Sequence, residues 1–228
     1  MYGMSPFFFG SGLLILIPAL ALTIYAQWKV RSTYNRYARV TVRNQTTGER
    51  MARRILEQEA ITDVSIEKAN RQLSDHYDPR KRVLRLSDPD SPSVAAIGIA
   101  AHEAGHAIQH ARNYSWFGLR TTIVPVANVG SMLAIPLFFM GFLFQVDALM
   151  TAGIIAFSAA VVFTLVTLPV ELDASRRAVA SLRTTAVVSE EELGAIKEVL
   201  FAAALTYVAA AAMAAAQLAR LLVLRNRR

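Results

Sequence analysis

Four stretches of this chain contain no charged residue: Phe7 to Ala26, Ile123 to Val146, Ala148 to Val170 and Leu200 to Leu218. Each is about twenty residues long, enough to cross the hydrocarbon core of a bilayer as a helix. Lipid offers no hydrogen bonds, so such runs must satisfy their own backbone polar groups, and a helix does this within one segment. With 54% hydrophobic residues in 228, the chain is expected to be a mainly α membrane protein with about four transmembrane helices. Among them should sit a small α+β region.

The flanking charges set an expected orientation. No charge precedes the first run, while Lys29, Arg31, Arg36, Arg39 and Arg43 follow it. A cleaved signal peptide would carry the opposite pattern. The run reads as a retained anchor with its N-terminus outside and the following residues cytoplasmic. The turn between the second and third runs carries only Asp147, as an outside loop should, and Arg176, Arg177 and Arg183 then fall inside. Four spans leave Arg225, Arg227 and Arg228 outside, against the same rule. The last run is nonetheless uncharged and long enough, so four spans are expected, in a multi-pass protein of the cell membrane. The net charge of +7 is read as contact with anionic lipid headgroups rather than nucleic acid, because the basic residues crowd beside apolar spans.

Between the first and second spans lies a soluble stretch, and within it AHEAGHAIQH, residues 101–110. On a helix, His102 and His106 are about 40° apart in rotation and about 6 Å apart along the axis. Two imidazoles so placed can converge on one metal ion. Glu103 reaches the same volume, where it can serve as the base for a water molecule. A buried structural helix would leave an ionisable Glu and three His unexplained among apolar neighbours. Ser93 is a good N-cap for this helix, which is expected to span 94–112. His110 lies about 12 Å from His102 along an unbroken helix and cannot share the ion. It is expected to lie beside the ligands or on the substrate side.

Around this helix, Thr47 to Ala60 reads as an amphipathic helix, Val64 to Ala69 as a weak strand and Val83 to Leu86 as a strand. The open edge of the last could pair with an extended peptide and lay it across the metal; alternatively it is part of a hairpin that packs the helix. Asp75, His76 and Asp78 resemble a metal cluster but read as turn chemistry. Asn128, inside the second span, is expected to hydrogen-bond between helices. The chain divides into an anchor (1–27), a catalytic region (28–122), a transmembrane hairpin (123–170) and a segment (171–228) with a C-terminal helix expected to cross.

There is no Cys, so only His, Asp and Glu can hold a metal. A third ligand is expected where the third span emerges, in LPVELDASRRA, whose carboxylates are Glu171 and Asp173. An ion pair of Glu171 with Arg176 or Arg177 is the bland alternative. The need for a third ligand favours Glu171.

AAHEAGHAIQH, with LSDHYDPRKRVLRLS before it and LPVELDASRRA after it, resembles the YugP-type neutral zinc metallopeptidases of bacterial membranes. The resemblance runs over nearly the whole chain. That family is similar to the HtpX-type membrane peptidases of the gluzincin class, which also place a transmembrane hairpin between H-E-x-x-H and a ligand Glu. The resemblance implies a zincin-like region with Zn2+ on His102, His106 and Glu171, Glu103 as general base, and a polypeptide substrate, membrane proteins included. Gluzincins usually carry an Asp four residues after the ligand Glu, bonded to a ligand His. Ser175 stands there, and Asp173 is the expected substitute. His110, Tyr114 and Arg176 are candidates to steady an oxyanion. Two rival functions remain: a site-2-type intramembrane protease, since Leu172-Asp173 partly matches its Leu-Asp-Gly motif, and a non-enzymatic metal-binding scaffold.

Overall fold

The computed structural model describes residues 13–71 and 74–226. The first apolar run therefore begins outside the described residues. Among the described residues six helices and three strands follow one another: α1 (Ile17–Tyr37), α2 (Gly48–Gln58), β1 (Ser65–Lys68), β2 (His76–Asp78), β3 (Val83–Leu86), α3 (Val94–Ala111), α4 (Ser115–Phe144), α5 (Asp147–Thr185) and α6 (Glu190–Asn226). The protein is mainly helical with one small sheet. Among the described residues three helices, α4, α5 and α6, are long and apolar enough to cross a membrane.

Two compact units share these helices. One contains residues 28–118 and 169–205. Its core is built by α2, the sheet, α3 and the charged-side halves of α5 and α6. The Thr47 hydroxyl caps α2 by accepting from the Arg50 N–H at 3.3 Å, and Met51, Ala52, Ile55 and Leu56 form its buried stripe. These positions recur at helical spacing, so one face packs and the charged remainder stays wet. Ser93 caps α3 as expected, its hydroxyl 3.2 Å from the Ala96 N–H. Thirteen of the eighteen α3 residues are buried. At its far end Asn113 takes φ 50°, a left-handed conformation Asn tolerates, and the chain turns into α4.

The sheet has the order β1-β3-β2, with β1 parallel and β2 antiparallel to β3. This corrects the expectation of an open edge on β3. The Asp78 carboxylate accepts from the N–H groups of Arg80 (3.0 Å) and Lys81 (3.2 Å), and Arg82 adopts φ 52°. That tight turn folds β2 back onto β3, while β1 takes the other side. The free edges belong to β1 and β2. The neighbouring Asp75 carboxylate accepts from the Ser87 N–H (2.7 Å) and hydroxyl (2.6 Å). Both nitrogens of His76 are engaged, by the Ser74 carbonyl and by Arg85. These residues are loop and turn chemistry.

The other unit holds residues 119–168 and 206–228, with the end of the first run through Gln27. Phe138, Met150, Ile154, Leu221 and Leu224 are buried together. Glycines allow close helix approach here: a Cβ on Gly153 would stand 2.6 Å from the Phe138 nitrogen and 2.7 Å from the Ala134 oxygen. Large apolar side chains such as Val126, Met132, Leu143, Phe144 and Ile155 face outward, as a lipid-facing surface requires. Asn128 is also exposed, and among the described residues its side chain makes no helix–helix hydrogen bond.

α5 does not stop at the end of its apolar run. It continues through Pro169 to Thr185, so residues 171–177 are placed by helical periodicity rather than by a loop. Its contact with α3 is tight at Gly105, where a Cβ would meet the Ala174 carbonyl oxygen at 2.5 Å. Gly105→Ala should therefore cost roughly 1–3 kcal/mol by overpacking. Gly194→Ala, where a Cβ meets nothing within 4 Å, should raise stability by up to about 1 kcal/mol. Thermal unfolding in detergent distinguishes the two by the direction of the shift.

Candidate metal centre

α3 and α5 build the site within one unit. His102 and His106 project from one face of α3, their ring centroids 4.8 Å apart and their planes at 80°. From α5, Glu171 places Oε2 at 3.2 Å from His102 Nε2 and 3.6 Å from His106 Nε2. Glu171 is 2% exposed and His106 6%. One donor atom from each of the three lies within 4.8 Å of the others, and among the described residues no other His, Asp and Glu gather this way.

This donor set fits a divalent zinc ion. It offers two imidazole nitrogens and one carboxylate oxygen, all ligands zinc accepts. Bonds of about 2 Å in a tetrahedron put neighbouring donors about 3.3 Å apart, close to both observed spacings. His110 is not in the group, as the helix rise required.

The ring nitrogens facing away from the site are held. Gln109, fully buried at 0% exposure, donates from Nε2 to the Val170 carbonyl (2.7 Å) and to Asp173 Oδ2 (2.8 Å). Both partners are acceptors, so the amide orientation is forced and Oε1 faces His106 Nδ1 at 2.9 Å. An acceptor there demands a proton on Nδ1, which leaves the Nε2 lone pair directed at the site. His102 Nδ1 lies 3.2 Å from the Ser175 hydroxyl.

The expectation that Asp173 replaces a missing partner is thus corrected. Ser175 itself meets His102. Asp173 acts on the other only through Gln109, and it is held in turn by Arg177 Nε at 2.6 Å. Arg177 also lies over the Tyr114 ring at 5.6 Å, and Arg176 is exposed. Glu171 meets the two histidines, while Arg177 is paired with Asp173. Neither Tyr114 nor Arg176 touches the three converging residues. Gln109 escaped the sequence reading, and Ser175, noted at its position, was passed over for Asp173. Their only signals were an amide in an apolar helix three residues after His106, and a hydroxyl one turn after Glu171.

Glu103 is 7% exposed. Burial pushes its carboxyl up to about 7; His102 opposes the shift, and Glu171 and Asp75 add to it. His106 and His110 both lie against the Phe117 ring, at 6.0 and 5.8 Å between centroids, and His110 Nδ1 meets the Tyr77 hydroxyl at 2.9 Å.

Two histidines one turn apart, with a carboxylate from a second helix and a buried Glu beside them, form the centre of a metal-dependent hydrolase class. The chain's apolar helices place that class in association with a membrane. The chain belongs to the family described as "Putative neutral zinc metallopeptidase", which it matches over residues 12–226. It is 43% identical over 212 residues to "Putative membrane protease YugP" of Bacillus subtilis (strain 168), an alignment covering 92% of this chain and 94% of that protein. No solved structure matches it.

Gln109→Leu removes the acceptor that fixes His106. Its zinc affinity, measured by competition with a chelator, should fall by about 10- to 100-fold.

Proposed function

We propose that the protein is a membrane-bound zinc-dependent endopeptidase, with His102, His106 and Glu171 as the metal ligands and Glu103 as the general base. The observation that carries this reading is the convergence of Glu171 Oε2 on the Nε2 atoms of both histidines. Zinc held there would polarise a peptide carbonyl and make a water molecule more acidic near neutral pH. Glu103 takes the proton of the attacking water and returns it to the leaving amine. A carboxyl near 7 suits both transfers, since either protonation state lies within reach at neutral pH. Gln109 and Ser175 hold the imidazoles in register while this happens. His110 is already bonded to Tyr77, and it serves the substrate rather than the metal.

The free edge of β2 supports the binding half of the reading. Asp75 and His76 stand close enough to Glu103 to act on its charge, so an extended peptide paired along β2 would pass the base. The site shares its unit with a sheet and its charged loops. This favours an ion outside the bilayer over the intramembrane site-2 arrangement. A scaffold would have no use for a buried Glu tuned to neutral pH. The basic residues after the first run and on α5 support a site on the cytoplasmic face.

Glu103→Gln should bind zinc normally and lose at least about 100-fold in cleavage of a peptide substrate; zinc binding with normal cleavage would overturn the mechanism. Metal analysis of His106→Ala should show most zinc lost, whereas His110→Ala should retain it. For orientation, a cysteine at the exposed Asp88 should resist an impermeant thiol reagent in intact cells. Labelling there would reverse the assigned face.

A further inference from the structure

One turn beyond the proposed catalytic residues the structure contains a polar cavity of about 360 Å³. It is bounded by the C-terminal half of α3, the chain entering β1, and the β2–β3 hairpin. Asp63, Tyr77, Arg82, Ala107 and His110 line it. Ala107 follows Glu103 by four residues and His110 follows His106 by four. The cavity therefore opens about 6 Å along the same face of α3 from the metal centre. An extended peptide advances about 3.3 Å per residue. A substrate with its scissile bond at the metal would bring a side chain one or two residues away over this opening.

The chemistry of the lining selects that side chain. Asp63 and Arg82 form an ion pair at the surface, so the cavity carries no net charge from them. Beneath, Tyr77 is buried and its hydroxyl meets His110 Nδ1 at 2.9 Å. Burial, with the nearby Asp78, pushes the phenol up to about 12, so it stays protonated and serves as the donor. Burial and Arg82 hold the His110 imidazole below its ordinary value, so the ring is neutral. A neutral ring that accepts at Nδ1 carries its proton on Nε2. Among the described residues no hydrogen-bond partner occupies Nε2. The cavity thus presents one imidazole N–H donor together with a carboxylate acceptor, Asp63.

We propose that this cavity is a specificity subsite for an amide side chain of the substrate, glutamine or asparagine, with the carbonyl oxygen accepting from His110 Nε2 and the amide N–H donating to Asp63. The proposal rests on the peptidase reading above and extends it to substrate class. A leucine side chain would leave the imidazole N–H and the carboxylate without new partners while excluding their water. A glutamate would accept from His110 but bring an unbalanced charge into a lining where Asp63 and Arg82 already neutralise each other. A lysine would pair with Asp63 only by displacing Arg82.

The test uses fluorescent peptides varied at one position at a time on each side of the cleavage point, with zinc-loaded full-length protein in detergent. Wild type should cleave glutamine or asparagine peptides at one position with kcat/KM at least about tenfold above their leucine and lysine twins. His110→Ala should collapse that ratio to within about twofold. Asp63→Ala should narrow the gap between glutamine and glutamate. The same peptides bound to the Glu103→Gln protein, read by fluorescence anisotropy, report the cavity without turnover. There too the amide peptide should bind more tightly than its leucine twin, and adding His110→Ala should erase the difference. Cleavage with no amide preference at any position, or a preference that survives His110→Ala, overturns the subsite. An amide preference in binding with no cleavage by wild type overturns the peptidase reading and leaves the subsite standing.

Discussion

The crossing of α3 and α5 at Gly105 and Ala174 is the constraint on which the site depends. A Cβ at Gly105 would collide with the Ala174 carbonyl, so only glycine lets the helices come this close. Gly105 sits between Glu103 and His106, and Ala174 between Asp173 and Ser175. The close approach therefore aligns the polar residues of both helices. Glu171 Oε2 comes within 3.2 Å of His102 Nε2, at hydrogen-bonding range, and within 3.6 Å of His106 Nε2, and Ser175 meets His102 from one turn further along. A bulkier residue at position 105 would move the carboxylate away from the imidazoles. A shift of about 1 Å is large against a metal–ligand bond of about 2 Å.

Polar groups buried among apolar helices must be matched, and the pattern of matching separates supporting residues from reactive ones. Gln109 has both ends of its amide engaged, by Val170, Asp173 and His106. Asp173 is neutralised by Arg177. These groups are spent on holding geometry. Glu103 is different: it is buried, its carboxyl is raised to about 7, and among the described residues it forms no ion pair with an Arg or Lys. A group left in that state gains or loses a proton easily, which is the property a general base requires.

The sheet serves the site by its position beside α3. β3 is central and silent, walled on both sides by backbone hydrogen bonds. β2 is short and free along its outer edge, and it carries Tyr77 to His110. The same hairpin turn that closes β2 onto β3 places Arg82 opposite Asp63. A single turn thus creates both a strand edge beside α3 and the rim of a polar cavity.

Much of this could be read from the sequence. The helix at Val94–Ala111 was legible from Ser93 and the spacing of His102 and His106, because capping and the 3.6-residue period are local properties. The exclusion of His110 followed from helix rise alone. β3 was recognised at Val83 to Leu86, and the three apolar helices from their uncharged runs. Tertiary structure decided what lies far apart along the chain. The order of the strands was hidden because β2 has only three residues, two of them polar. The continuity of α5 through Pro169 was hidden because proline usually weakens a helix interior. Gln109 and Ser175 could not be assigned because their roles depend on which groups face them across 61 to 73 residues of intervening chain. Local periodicity determines which residues share a face. Only the packing of one helix on another determines what that face meets.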